Sequence, residues 1–242
     1  RHYQSEKWAK DMLKLIAILN SKTGVQVFIG THSNMIASRL GLDNITLLKG
    51  GKVSKIQNLE NDTIRFFKKS TNQNLLNFAL SDKVILVEGN AEYILMEKFF
   101  DMIHGEKSEL LGVSIISVDG LSFKRYLEIA KGFESKNVAI ITDNDKDYEI
   151  KINSDYDEYN NIKVFSDQNK DNYTFEVCIY NGNKTLIDGE RLTASSDVLK
   201  FMLKNKAEFA LRLLERLDSS DKWKGFVIPA YIQEAVEWVI KN

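Results

Sequence analysis

The sequence contains a single cysteine, Cys178, and a single proline, Pro229. One cysteine excludes an internal disulfide framework and any zinc cluster that is built on several cysteines. No apolar run approaches the ~20 residues that are needed to span a bilayer, and no charged-then-apolar signal region opens the chain. We therefore expect a cytoplasmic protein that has no membrane partner.

The chain also lacks a strong net charge, because 33 basic residues oppose 34 acidic ones and leave −1 at pH 7. No global basic field indicates nucleic acid binding, but local acids can mask a basic groove, so DNA stays open as a partner. A length of 242 residues suits one large domain, or one domain and a fragment. Since the chain begins at Arg1 within a predicted helix, we expect a piece of a longer protein.

From residue 83 onward, short apolar runs rich in β-branched residues alternate with amphipathic segments. Runs that are apolar throughout are typical of strands buried on both faces of a parallel sheet. Three strands are predicted, at 84–87, 113–118 and 138–141, with helices at 90–102 and 122–131 and a further candidate strand at 162–165. The tail predicts helices at 196–205, 207–217 and 229–241. The pattern indicates an α/β fold.

Carboxylates follow two of the predicted strands. Glu88 closes the first strand, and Glu92 lies in the first turn of the helix that follows, so both carboxylates can face one site. Alternatively, Glu88 caps the helix and Glu92 only complements the helix dipole. Asp143, Asp145 and Asp147 occupy every second position after the third strand. Their side chains face the same side of the segment if the backbone stays extended. The alternative is that the three aspartates lie on a solvated turn. Carboxylate oxygens suit Mg²⁺, Mn²⁺ and Ca²⁺. The pattern favours a divalent metal site at the carboxyl edge of the sheet.

The ordered set of motifs resembles the Toprim domain, which topoisomerases, bacterial primases and a group of nucleases share. The motifs are strand–Glu88-Gly89-x-x-Glu92, strand–Asp119-Gly120 and strand–Asp143-x-Asp145-x-Asp147. The resemblance covers residues 83–180 and implies a Rossmann-like, mainly parallel sheet. Residues 181–242 are then a helical C-terminal region.

The amino-terminal block resembles the end of an ABC-type ATPase core. Phe28-Ile-Gly-Thr31-His32-Ser33 follows a predicted buried strand at 25–29 and is similar to a switch-histidine segment, in which the histidine meets the nucleotide γ-phosphate. Otherwise His32 is an ordinary histidine at the start of a predicted helix, 34–40. A hairpin predicted at 44–56 also suits such a core. We therefore assign residues 1–58 to the ATPase and residues 59–82 to a helical connector.

An ATPase tail that runs into a Toprim domain resembles the OLD (overcoming lysogenization defect) family endonucleases, with Gabija-type defence nucleases as close relatives. The resemblance implies that ATP acts only in the full-length protein, because a Walker A motif is absent from this chain. It also implies three partners: DNA, the remainder of the ATPase domain, and further copies of the full-length protein in a homo-oligomer.

The same resemblance implies a site that binds two metal ions, either Mg²⁺ or Mn²⁺. Glu88, Asp143 and Asp145 would hold one ion, and Glu92, Asp147 and Glu176 the second. Lys224, in a Lys-Gly pair before the last helix, would act with them by stabilising charge on the scissile phosphate. Alternatively, Glu176 is an exposed strand residue and Lys224 a solvated loop lysine. The chain departs from the family pattern at Asp147, where the family carries a serine.

The function that this resemblance implies is a metal-dependent DNA endonuclease, regulated by nucleotide in the full-length protein and used in phage defence or DNA processing. One alternative is a non-catalytic Toprim module for dimerisation or for regulation of an ATPase. The other is a topoisomerase- or primase-type enzyme, which is disfavoured because the chain has no room for a separate tyrosine-bearing domain and no zinc ribbon.

Overall fold

The chain forms two compact units, residues 1–80 and residues 81–242. The computed structural model describes residues 2–22, 24–31, 33, 36–37, 45–49, 52–56, 59–69, 74–118, 120, 123–133, 135–152, 158–190, 192–219 and 221–241. Among these residues, no helix combines the length and the apolar character that crossing a membrane requires.

The first unit contains helices and one hairpin. Its elements are α1 (His2–Asn20), β1 (Thr46–Lys49), β2 (Lys52–Lys55), α2 (Asn61–Lys69) and α3 (Leu75–Leu80). β1 and β2 pair antiparallel, with Leu48 opposite Val53, so the predicted hairpin is confirmed. The connector is helical as expected, with α2 and α3 in place of one helix from 66 to 80.

The buried strand predicted at residues 25–29 is wrong. Residues 24–31 have no regular secondary structure, and the side chain of Phe28 is 85% exposed. A strand needs a neighbour for its backbone hydrogen bonds, and in the described part of this unit β1 and β2 pair only with each other. His32 lies outside the described residues, as does most of the helix predicted at 34–40; residues 36–37 are helical.

The second unit is built on a four-stranded parallel sheet with the order β4-β3-β5-β6. The strands are β3 (Lys83–Val87), β4 (Val113–Ser117), β5 (Asn137–Ile141) and β6 (Ile162–Phe165). β3 lies between β4 and β5, with Val87 level with Ser117 on one side and Ile141 on the other. The predicted α/β fold with a parallel sheet is confirmed, and the carboxyl ends of β3 and β5 lie side by side.

Helices cover both faces of this sheet, which explains why its central strands are apolar throughout. The helices are α4 (Asn90–His104), α5 (Phe123–Ala130), α6 (Tyr148–Ile152), α7 (Phe175–Gly189), α8 (Val198–Lys204), α9 (Lys206–Ser219) and α10 (Ala230–Lys241), with 3-10 turns at Ser108–Leu111 and Asp221–Trp223. Ile85 and Val87 join the core that α4 and α10 complete, and because strand side chains alternate, Val84 and Leu86 face the opposite side.

The carboxyl-terminal helices belong to the same compact unit as the sheet. α10 packs against β3 and β5, and α9 packs against α4. The boundary predicted at residue 180 falls inside α7, so it does not separate two structural units. The reason is that α10 buries an apolar stripe, including Ile232, Val236 and Val239, against the sheet.

Candidate metal centre

Glu88 joins the ends of the two central strands. It directly follows β3, and its Oε2 accepts a hydrogen bond of 3.1 Å from Oγ1 of Thr142, which follows β5. The backbone N of Asp143 lies 3.4 Å from the same oxygen. Gly120, at the end of β4 and with φ +96°, donates its N–H to the Glu88 carbonyl at 2.9 Å. The Glu88 carboxylate is therefore held at the carboxyl edge of the sheet, as predicted.

Glu92 lies in the first turn of α4, where only 7% of the residue is exposed. A Cβ at Gly89 would lie 3.2 Å from Oε2 of Glu92, so the missing side chain leaves room for this carboxylate. Burial raises the pKa of the Glu92 carboxyl from 4.5 to about 7, and the negative charges of Glu176 and Glu88 add to the rise. Glu92 is thus not a solvated acid that only complements the helix dipole.

Asp143 lies between β5 and the amino end of α7. Its Oδ1 accepts a hydrogen bond of 2.7 Å from the backbone N of Phe175, the first residue of that helix. Burial, together with the negative charges of neighbouring carboxylates, nevertheless raises the pKa of the Asp143 carboxyl from 3.8 to about 8. Those neighbours are Glu88, Glu92 and Glu176. Four acids therefore share one negative field, which a cation would relieve.

Glu176 is in the first turn of α7 and is completely buried. Its Oε2 lies 3.0 Å from Nζ of Lys206, the first residue of α9. Neither carboxylate oxygen accepts a hydrogen bond of ordinary geometry from the described residues. An exposed strand position for Glu176 is thereby excluded, because the residue is helical and buried. A buried carboxylate with unsatisfied oxygens is costly unless a cation completes its surroundings.

The three aspartates after β5 do not share one face. Asp145 and Lys146 have φ values of +49° and +70°, so the backbone turns where an extended segment was predicted. Asn144, which is 1% exposed, holds this turn by donating from Nδ2 to the carbonyls of Asp167 and Asn169 at 2.7 and 2.9 Å. Only Asp143 of the three therefore points into the carboxylate cluster.

Asp145 and Asp147 are exposed on this turn. Oδ1 of Asp147 accepts from the backbone N of Ile150 at 3.3 Å, so this carboxylate caps the first turn of α6. The extended backbone that would have placed both acids beside Asp143 is the part of the prediction that is wrong. Their roles as metal ligands stay predictions, and they require the turn to change conformation.

The lysine beside the carboxylates is Lys206, not Lys224. Nζ of Lys224 lies 2.9 Å from Oδ1 of Asp221, and the lysine side chain is 76% exposed. The expectation that Lys224 supplies the cation of the site is therefore not met in this conformation. Lys206 was missed because no motif surrounds it. A lysine in the first turn of a helix is unfavourable because it opposes the helix dipole. This unfavourable position is the feature of the sequence that could have indicated a nearby acidic partner for Lys206.

The chemistry of these side chains fits a divalent cation. Glu88, Glu92, Asp143 and Glu176 offer hard oxygen ligands, and two of them have strongly raised pKa values. As these side chains lie, the described residues include no group of three acidic, histidine or cysteine side chains arranged to hold one ion. Since like charges repel, we expect the four carboxylates to converge only when a cation is bound.

Comparison with known families matches residues 80–145 to the family described as overcoming lysogenization defect protein-like, TOPRIM domain. The solved C-terminal region of the Xanthomonas campestris pv. campestris OLD protein is 22% identical, with 66% of this chain and 93% of that chain covered and a TM-score of 0.45. The C-terminal region of the Burkholderia pseudomallei OLD protein is also 22% identical, with coverages of 67% and 98% and a TM-score of 0.41. No curated protein matches the chain.

Residues 80–145 are thus an OLD-like Toprim domain, as the sequence motifs indicated. The matched segment contains the ends of β3 and β5 and therefore Glu88, Glu92 and Asp143. Toprim domains typically bind divalent metals, which agrees with the chemistry of these carboxylates. Glu176 and Lys206 lie beyond the matched segment. The resemblance implied Glu176 as a metal ligand, whereas only the tertiary structure connects Lys206 with the site.

Proposed function

We propose that this protein is a metal-dependent nuclease that hydrolyses phosphodiester bonds in DNA. The observation that carries the proposal is a cluster of four carboxylates at the carboxyl edge of a parallel sheet, in which Glu92 and Glu176 are buried and Glu88 and Asp143 are half-buried. Such edges are where open α/β sheets bind ligands. Strong mutual repulsion between acids has no structural benefit by itself, whereas it favours binding of a cation.

The four inward carboxylates would hold Mg²⁺ or Mn²⁺, and Asp145 and Asp147 would complete a second ion's ligand set if their turn rearranges. When bound, such ions lower the pKa of coordinated water and offset the charge that develops on a phosphate. Lys206 already places an ammonium against Glu176. Once cations neutralise the carboxylates, this ammonium is free to face the phosphate.

We extend the proposal to a longer protein that would contain this chain. Residues 1–58 would be the end of an ATPase domain that uses ATP, with His32 at the nucleotide, and that assembles the protein into a homo-oligomer. Large apolar side chains of the first unit are exposed: Trp8 is 59%, Ile18 57% and Phe28 85% exposed. Their exposure supports the proposal that the remainder of an ATPase domain packs against this unit. Nucleotide-regulated DNA cleavage would serve phage defence or DNA processing.

The test is cleavage of supercoiled plasmid by the purified chain in Mg²⁺ or Mn²⁺ and in EDTA. We expect nicking that requires the metal and that Asp143→Asn abolishes. Asp188→Asn is the matched control, because Asp188 is an exposed acid of the same unit that pairs with Lys184. Asp145→Asn then reports whether the exposed turn acid is a ligand.

Calorimetric titration with Mn²⁺ separates metal binding from catalysis. Tight Mn²⁺ binding that Asp143→Asn weakens, without DNA cleavage under any condition, would refute the nuclease proposal. The non-catalytic Toprim module would then be the better interpretation. Cleavage that persists in EDTA would refute the role of metal.

A further inference from the structure

A cavity of about 790 Å³ lies beside β6, the edge strand of the sheet. Its walls come from β6, from the segments that precede and follow this strand, and from α10. Five aromatic side chains line the cavity together with polar and charged groups: Tyr148, Tyr159, Phe165, Tyr231 and Trp238. This volume is large enough to enclose a planar aromatic ligand between ring faces.

Polar groups in the same cavity can recognise the edge of such a ligand. Ser166 is 5% exposed, and its Oγ has no hydrogen-bond partner among the described residues. Ser166 is itself one of the residues that line the cavity. The amides of Asn160 and Gln168 also line it, and they offer both donors and acceptors. The cavity therefore combines stacking surfaces with hydrogen-bonding groups.

Charge in the lining favours a neutral ring over a phosphate. Asp167 and Glu234 line the cavity and would repel an anion inside it. Lys163 also lines the cavity, so the lining carries two acids and one lysine. Nζ of Lys163 is 5.2 Å from the centre of the Phe165 ring, and Nζ of Lys131 is 4.9 Å from that of Tyr159. A ligand with an uncharged aromatic ring inside and phosphates outside fits this distribution.

The cavity is structurally linked to the carboxylates. Asn144, next to Asp143, donates to the carbonyl of Asp167, which lines the cavity. Tyr231 also lines the cavity and is buried beside Cys178. The negative charge of Asp143 acts on the same tyrosine. The loop after β6 and Tyr231 thus connect the cavity with the residues around Asp143.

We propose that this cavity binds an unpaired nucleobase of the DNA strand that is cut at the carboxylates. The inference rests on the proposed nuclease function and names its substrate class: DNA with a single-stranded or extrudable nucleotide near the cleaved bond. Stacking on aromatic side chains recognises a base of any sequence. The hydroxyl and amides of the lining add hydrogen bonds to the base edge.

The test measures binding without catalysis. A single-stranded oligonucleotide of about 12 residues that carries one 2-aminopurine is titrated with the full chain in EDTA, since site sizes of this order suit single-strand binding. We expect quenching of 2-aminopurine fluorescence on stacking. We also expect at least about 10-fold weaker binding when that base is replaced by an abasic residue.

The variants locate the base. Tyr159→Leu removes a ring and should weaken binding of the base-containing strand about 10-fold, whereas Tyr159→Phe should restore it. In Tyr159→Leu the abasic strand should bind as it does to the wild type, because the lost contact is to the base. Tyr180→Leu is the matched control, a partly exposed tyrosine that pairs with Lys184 and Asp188 outside this cavity.

The outcomes distinguish the two proposals. Equal affinity for base-containing and abasic strands, or equal weakening of both by Tyr159→Leu, would overturn the base site and leave contacts to the phosphate backbone alone. Unquenched 2-aminopurine at saturation would overturn it as well. Base-dependent binding in EDTA without cleavage in Mg²⁺ or Mn²⁺ would instead overturn the nuclease function and keep the base site.

Discussion

Replacement of Asp143 by asparagine should stabilise the metal-free protein while it abolishes DNA cleavage. The unfolded chain loses the Asp143 proton near pH 3.8, whereas the folded protein keeps it to a pKa of about 8. The folded state therefore loses stability relative to the unfolded state as the pH rises through this window. Asparagine removes the ionisation, and its Oδ1 can still accept from the backbone N of Phe175, as Asp143 does at 2.7 Å.

The size of the expected stabilisation follows from the pKa shift of Asp143. A rise from 3.8 to about 8, at about 1.4 kcal/mol per unit, corresponds to roughly 6 kcal/mol. Because coupled carboxylates share protons and relax, we expect about 2–3 kcal/mol of added unfolding free energy at pH 8. At pH 4 the difference should fall to about 0.6 kcal/mol, because this pH lies only just above the pKa of 3.8 in the unfolded chain and the folded carboxyl stays protonated.

Urea unfolding followed by tryptophan fluorescence at pH 4, 6 and 8 in EDTA measures this difference. Asp188→Asn is the control with the opposite sign, because a hydrogen bond from Lys184 lowers the pKa of Asp188 and its carboxylate stabilises the folded state. Added Mn²⁺ should stabilise the wild type but not Asp143→Asn. A variant that is less stable than the wild type at pH 8 in EDTA, or one with a pH-independent effect, would refute the proposed repulsion.

Two further predictions concern the cation beside the carboxylates and the first unit. Lys206→Met removes the partner of a completely buried carboxylate, so it should lower the unfolding free energy by about 2–4 kcal/mol at pH 8. Added Mn²⁺ should restore this lost stability. Lys224→Met is the control at an exposed ion pair and should change the unfolding free energy by less than about 0.5 kcal/mol. Equal losses in both variants would contradict a special role for Lys206. The purified chain should not hydrolyse ATP in a phosphate-release assay, because it contains no Gly-x-x-x-x-Gly-Lys-Ser/Thr loop; turnover in a preparation free of contaminants would overturn the assignment of residues 1–58.

The sheet could be predicted from the sequence because its central strands are encoded locally. Val84–Val87 and Val138–Ile141 are apolar without alternation, a pattern that is typical of a strand covered on both faces. A carboxylate directly after such a run must lie at the edge of the sheet. The adjacency of Glu88 and Asp143 then follows from the parallel pairing of β3 with β5.

Other parts of the site could not be read from local pattern. Asp143, Asp145 and Asp147 alternate in sequence, but the amide of Asn144 binds carbonyls more than twenty residues away and turns the backbone between them. The strand predicted at 25–29 failed for a related reason. Its apolar pattern was correct for a buried strand, yet the described part of the first unit offers no strand to pair with it.

The sequence by itself determined the alternation of strands and helices from β3 to β5, the parallel sheet and the positions of Glu88, Glu92 and Asp143, since hydrophobic period and strand ends depend on neighbouring residues. Only the tertiary structure decided which acids belong to the carboxylate cluster and which lysine lies beside them. Glu176 became a buried ligand candidate because α7 begins beside Asp143, and Lys206 became its partner because α9 packs against α4. Burial and charge pairing join residues that are distant along the chain, and folding alone brings those residues together.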